Sequence, residues 1–90
     1  MAELREAAFW YESKAGNLGC DLLGEVDGCI ERIRKTPDAW PLYVKDLGVR
    51  RFLVHRFPFG ILYRVANEEI QIVAMMHLRR RPGYWTDRLR

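Results

Sequence analysis

The stretch Val49-Arg50-Arg51-Phe52-Leu53-Val54-His55-Arg56-Phe57-Pro58-Phe59-Gly60-Ile61-Leu62-Tyr63-Arg64-Val65-Ala66-Asn67-Glu68-Glu69-Ile70-Gln71-Ile72-Val73-Ala74-Met75-Met76-His77 decides the fold. Three apolar runs stand out, about Val49–Arg56, Ile61–Ala66 and Ile70–His77. Phe57-Pro58-Phe59-Gly60 separates the first two and Asn67-Glu68-Glu69 the others, each short enough to reverse the chain directly. The pattern predicts an antiparallel meander. Setting Ala66 opposite Glu69 places Val65 on Ile70, Tyr63 on Ile72 and Ile61 on Ala74. Side chains alternate with period two, so these residues and Met76 share one apolar face. The other face then carries Leu62, Arg64, Gln71, Val73, Met75 and His77. Pairing the first hairpin around Pro58-Phe59 adds Arg51, Leu53 and His55 to it.

Upstream, the apolar face finds its cover. Leu4, Ala7, Ala8 and Tyr11 follow the i, i+3, i+4, i+7 spacing of a helix with one buried stripe. Ala15-Gly16-Asn17 breaks it, with Gly16 free to take a left-handed cap. A second helix spans about Leu18–Arg34 on the stripe Leu22, Leu23, Val26, Ile30 and Ile33, with Cys29 beside it. Gly24 and Gly28, four apart, either admit a close neighbour or lie on an exposed side. Thr36-Pro37-Asp38 stops the helix, because proline excludes helical geometry from the residue before it. Ala39–Gly48 reads as an irregular connection pinned by Trp40, Leu42, Tyr43 and Leu47. The expected fold is therefore α+β: an N-terminal two-helix hairpin packed on one face of a three-stranded antiparallel sheet. The first helix opens the chain, so the sheet has two unpaired edges as encoded. Such edges invite another chain, a second copy included.

At 90 residues the chain is one domain, 1–90, and it buries only about 60–65% of its unfolded surface. A partner that binds only the folded form would add stability. Composition is that of a globular protein, 49% hydrophobic and 30% charged, so disorder is not expected. Net charge is +3, but its distribution is uneven. From Val49 onward the bases are Arg50, Arg51, Arg56, Arg64, Arg79, Arg80, Arg81, Arg88 and Arg90, against Glu68, Glu69 and Asp87. This asymmetry suits an anionic partner, or a soluble protein with one basic face. Cys20 and Cys29 are separated by about 13 Å of helical rise, too far for a disulfide within one helix. They lack metal-ligand spacing and read as reduced thiols. No apolar run is long enough to span a bilayer, which predicts a soluble, cytoplasmic protein without membrane attachment. Neither a phosphate loop nor a dinucleotide fingerprint is present, so no cofactor is implied.

Three segments together carry a resemblance: Ala7-Ala8-Phe9-Trp10-Tyr11-Glu12, Glu31-Arg32-Ile33-Arg34-Lys35-Thr36-Pro37-Asp38, and the run from Arg50 to the closing His77-Leu78-Arg79-Arg80-Arg81-Pro82-Gly83-Tyr84-Trp85. In this order the chain resembles the RelE/ParE toxin superfamily, and its tail is more similar to ParE-like plasmid-stabilisation toxins. The resemblance implies a cytoplasmic toxin of a type II toxin–antitoxin module, neutralised by a cognate antitoxin. Two activities occur in the superfamily: inhibition of DNA gyrase by binding, and ribosome-dependent cleavage of mRNA. Members carry a strand before the first helix, from which this sequence departs. The expectation is a truncated chain, a misplaced start, or a strand supplied by a partner.

Cleavage through the 2′-OH needs a base, an acid and cations for the phosphorane charge. On the nuclease alternative His77, Arg80 and Arg64 are the catalytic candidates. Arg51, His55, Arg79, Arg81, Tyr84 and Trp85 are the binding candidates, by charge and by base stacking. Where nuclease members carry a basic residue this chain has Gly60, and Arg51 has Leu53 as its same-face neighbour. The set is incomplete, which favours binding over catalysis. An inactive remnant or interaction module is the remaining reading.

Overall fold

The structure, a computed structural model, describes residues 2–79. Helix α1 runs Ala2–Lys14 and α2 Leu18–Lys35, followed by strands β1 (Leu42–Val44), β2 (Val49–Leu53), β3 (Phe59–Ala66) and β4 (Glu69–His77). The strands form an antiparallel sheet in the order β1-β2-β3-β4. The expected α+β architecture holds in this coarser sense, with four strands among the described residues rather than three. The extra one, β1, lies inside the segment expected to be irregular. Three residues give too little alternation to mark a strand. Its partner supplies the order, with Leu42 opposite Arg50 and Val44 opposite Val49.

Helix α2 carries the core. Leu22, Val26, Cys29 and Ile33 are buried at the i, i+4, i+7, i+11 spacing of a single stripe. They pack with Phe52, Ile61, Tyr63 and Met75 from the sheet. No residue of α1 is buried; it lies against α2 and β4 and contributes Leu4, Ala7 and Tyr11 to the margin of the core. The turn between the helices uses Asn17 in the left-handed region (φ 67°), not Gly16. Asparagine tolerates that region better than most side chains. Glu12 then reaches across from α1. Its Oε2 accepts the Asn17 amide at 2.9 Å and its Oε1 the Gly19 amide at 3.0 Å, meeting amides that the start of α2 leaves without helical partners. Close approach of the helices falls at Gly19, where a Cβ would stand 2.5 Å from the Ala8 carbonyl oxygen. Gly24 and Gly28 face open space.

The β3–β4 hairpin turns on Asn67 and Glu68, both at positive φ. Its register matches expectation at Val65–Ile70 and Tyr63–Ile72, then shifts. Leu62 pairs with Ala74 and Ile61 with Met75, so Val73 is the extra residue of a bulge. A bulge inverts every side chain beyond it. Met75 therefore joins the helix-side core, while Ala74 and Met76 join Val49, Leu62 and Val73 in a second cluster flanked by Tyr43 and Val44. The expected faces are thus exchanged from Ala74 onward.

Strand β2 stops at Leu53, short of the expected Arg56. Proline has no amide to donate, and Pro58 is spanned by a three-residue turn in which the Phe59 amide donates to the Phe57 carbonyl at 2.8 Å. Phe57 and Phe59 both enter the core, forcing His55 and Arg56 outward. Two anchors hold the segment before β1. The Tyr63 hydroxyl donates to the Pro37 carbonyl at 2.6 Å, and Arg50 Nη1 donates to the Trp40 carbonyl at 2.6 Å.

Two predictions follow from these contacts. Gly19→Ala separates the helices and costs about 1–3 kcal/mol, and Glu12→Ala costs about 1 kcal/mol, both read by urea unfolding. Burial, partly offset by Arg50 and reinforced by Asp38, raises the Tyr63 phenol above its ordinary value. The native state keeps that proton where the unfolded chain has lost it, so stability falls as pH rises above about 10. Tyr63→Phe flattens this alkaline limb of a stability–pH curve.

Candidate functional site

The end of β4 and the N-terminal turns of α1 enclose a groove of about 790 Å³ at the margin of the core. Its floor is Pro58, Phe59 and Met75, and its walls are Trp10 and Tyr11 on one side and His77 and Arg79 on the other. Tyr11 is locked by edge-on contacts with Phe57 (5.1 Å between centroids) and Phe59 (6.3 Å). Trp10 is 56% exposed and stands edge-on to Tyr11 at 4.9 Å. Helical spacing agrees: Leu4, Ala7, Ala8 and Tyr11 form the inward stripe, and Trp10 lies off it.

His77 enters this groove because of the bulge. Its ring stands edge-on to Phe59 at 5.2 Å, on the helix side of the sheet, where regular alternation had placed it on the opposite face. Its Nδ1 accepts the Arg79 amide at 3.1 Å, so in the neutral ring Nε2 carries the proton. Arg79 follows directly, with the Leu78 amide tied to the Pro58 carbonyl at 3.0 Å. Glu3 and Glu6 also line the groove. The lining thus carries charges of both signs around aromatic surface.

The remaining candidates lie elsewhere. Arg64 is on the other face, its Nε bonded to Gln71 Oε1 at 2.6 Å across the β3–β4 pair. Arg51 shares that face by alternation with Leu62, its guanidinium 4.7 Å from the centre of the Tyr43 ring. The methylenes of Arg51 lie over Gly60, where a Cβ would meet them at 3.2 Å. His55 is exposed in the turn after β2 and off the sheet altogether. Arg80, Arg81, Tyr84 and Trp85 lie outside the described residues. The structure therefore brings His77 and Arg79 together and separates both from Arg64, Arg51 and His55.

Arg56 was not singled out from sequence. At φ 74° it turns back onto α2, 3.6 Å from both Asp21 and Glu25, with its guanidinium 5.5 Å from the Phe57 ring. Non-local acids on a helix give no local sequence signal for such a clamp. Cys20 is exposed and Cys29 buried, both free. Burial raises the Cys29 thiol, against smaller opposing effects of the His55 backbone and Arg32 and a small reinforcing one of Glu25.

Among the described residues no three His, Cys, Asp or Glu side chains gather to hold a metal ion, and no helix is long and apolar enough to cross a membrane. No family model matches the chain, and neither a curated protein nor a solved structure matches it.

Two outcomes are expected. Long-range ¹⁵N–¹H spectra of the neutral protein report His77 as the Nε2-protonated tautomer, and the opposite tautomer would contradict the Arg79 contact. A thiol-reactive probe at neutral pH labels Cys20 in the folded protein and reaches Cys29 only on unfolding.

Proposed function

We propose that this chain is the toxin of a type II toxin–antitoxin module, ParE-like, which inhibits a cellular target by binding and is neutralised by a cognate antitoxin. Two supports come from the molecule. A two-helix hairpin laid on one face of an antiparallel sheet is the architecture that the sequence resemblance implies. The end of β4, with His77 and Arg79, also borders a surface groove whose other wall is Trp10 and Tyr11.

One observation favours binding over cleavage: His77 and Arg64 sit on opposite faces of the sheet. A phosphate clamp must contact the phosphate on which the acid–base group acts, within hydrogen-bond reach of both. A sheet one residue thick with buried side chains on each face holds the two apart. DNA gyrase is the target that the ParE-like resemblance names.

Induced expression in bacteria is the test. Growth arrest with an SOS response and intact message supports the reading, and Arg64→Ala leaves the arrest unchanged while Trp10→Ala relieves it. New codon-phased 5′ ends by primer extension would replace it with the RelE-like endoribonuclease. Normal growth at high expression would overturn both.

A further inference from the structure

A second groove lies on the outer side of the helix hairpin, away from His77. It encloses about 460 Å³ between α1 and α2, and its lining is predominantly apolar. Ala8 and Gly19 set its floor, because the helices touch there without intervening side chains. Phe9 stands beside it at 69% exposure, and Leu23 forms the opposite wall at 41%. A phenylalanine exposed to that degree next to an apolar slot is a knob without a hole among the described residues.

Charge identifies what fits. Arg5 and Glu12 line the groove on either side of Phe9, on one stripe of α1. Arg5 makes no ion pair among the described residues. At 1.5 Å of rise per residue, Arg5 lies about 6 Å before Phe9 and Glu12 about 4.5 Å after it. An antiparallel copy of α1 crossing at Phe9 therefore brings each Arg5 to the Glu12 of the other chain. Glu12 retains acceptor capacity for this, since each carboxylate oxygen takes only one amide in capping α2.

We infer that the outer face of the α1–α2 hairpin is a two-fold self-association surface. Phe9 of each copy seats in the Ala8–Gly19–Leu23 slot of the other, and two Arg5–Glu12 pairs fix the antiparallel register. The stripe is self-complementary, as an isologous interface requires. The apolar knobs provide most of the affinity, while the rim pairs chiefly set orientation. The inference is independent of the toxin reading and of the groove at His77.

Sedimentation equilibrium of the full chain across micromolar to hundred-micromolar concentration tests it. The wild type forms a dimer, Phe9→Glu is monomeric with an unchanged far-ultraviolet spectrum, and Arg5→Glu weakens the dimer about tenfold by making both pairs repulsive. Proximity is checked independently in a Cys20→Ser background. Position 13, one helical turn after Phe9, keeps the knob intact: Ser13→Cys is cross-linked between chains by a bismaleimide at concentrations where the dimer forms, and adding Phe9→Glu to the same variant abolishes the cross-link. A wild-type chain that stays monomeric throughout overturns the inference. So does a dimer that survives Phe9→Glu, or a Ser13→Cys cross-link that persists when Phe9→Glu is added.

Discussion

The first five residues of strand β3, Phe59 to Tyr63, are buried with side chains on both faces, and much of the chain is arranged to make that possible. Ile61, Leu62 and Tyr63 are successive residues with no exposed surface. Ile61 and Tyr63 face α2, while Leu62 faces the second cluster of Val49, Val73, Ala74 and Met76. A chain this small has one helix layer to spend on a sheet. Among the described residues, Tyr43 and Val44 of β1 flank the other side, which gives the otherwise minimal β1 its place. The Tyr63 hydroxyl shows the same constraint at atomic scale. Buried phenols need a partner, and the Pro37 carbonyl just past the end of α2 supplies it. One side chain thereby sets both the depth of the sheet under the helix and the path of the chain leaving it.

Burial on both faces also decides what the arginines do. Read along the sequence, they form a basic C-terminal half suited to a polyanion. In space many of them are occupied. Arg50 bonds the Trp40 and Asp38 carbonyls, Arg51 stacks on Tyr43, Arg56 spans Asp21 and Glu25, and Arg64 holds Gln71. Guanidinium groups suit this work because they stay charged, pack flat on rings and donate in several directions. The exposed pairs contribute little stability one by one, but the Arg50 contacts to two backbone carbonyls help hold the segment between α2 and β1. Net charge alone is therefore a poor guide to the partner of this protein.

What was legible in the sequence follows from the same physics. The α2 stripe, the β3–β4 turn and the pairs Val65–Ile70 and Tyr63–Ile72 rest on local periodicity and turn chemistry, which sequence records directly. The Val73 bulge does not. An extra residue leaves no mark when both neighbours, Ile72 and Ala74, are apolar on either register. That single insertion moved His77 from one face of the sheet to the other and rearranged the whole candidate site. The early end of β2 is half visible: Pro58 marks a turn, but the inward demand of Phe57 and Phe59 is a tertiary effect. Glu12 capping α2 across the hairpin and Arg56 clamping α2 across the loop were invisible for the same reason.

The relocation of His77 changes what a ligand of the groove has to be. On the expected face, His77 would have shared a surface with Arg64 and Arg51, a basic layout suited to phosphate. On the actual face it shares a groove with Trp10, Tyr11 and Phe59, and the carboxylates of Glu3 and Glu6 line the same space. A phosphate chain laid there would meet acidic residues as well as one arginine, so repulsion opposes the attraction. A polypeptide has no such conflict, since it can offer apolar anchors to the aromatics and charges of either sign to the rims. The bulge in β4 thus links a backbone irregularity to a preference in partner class.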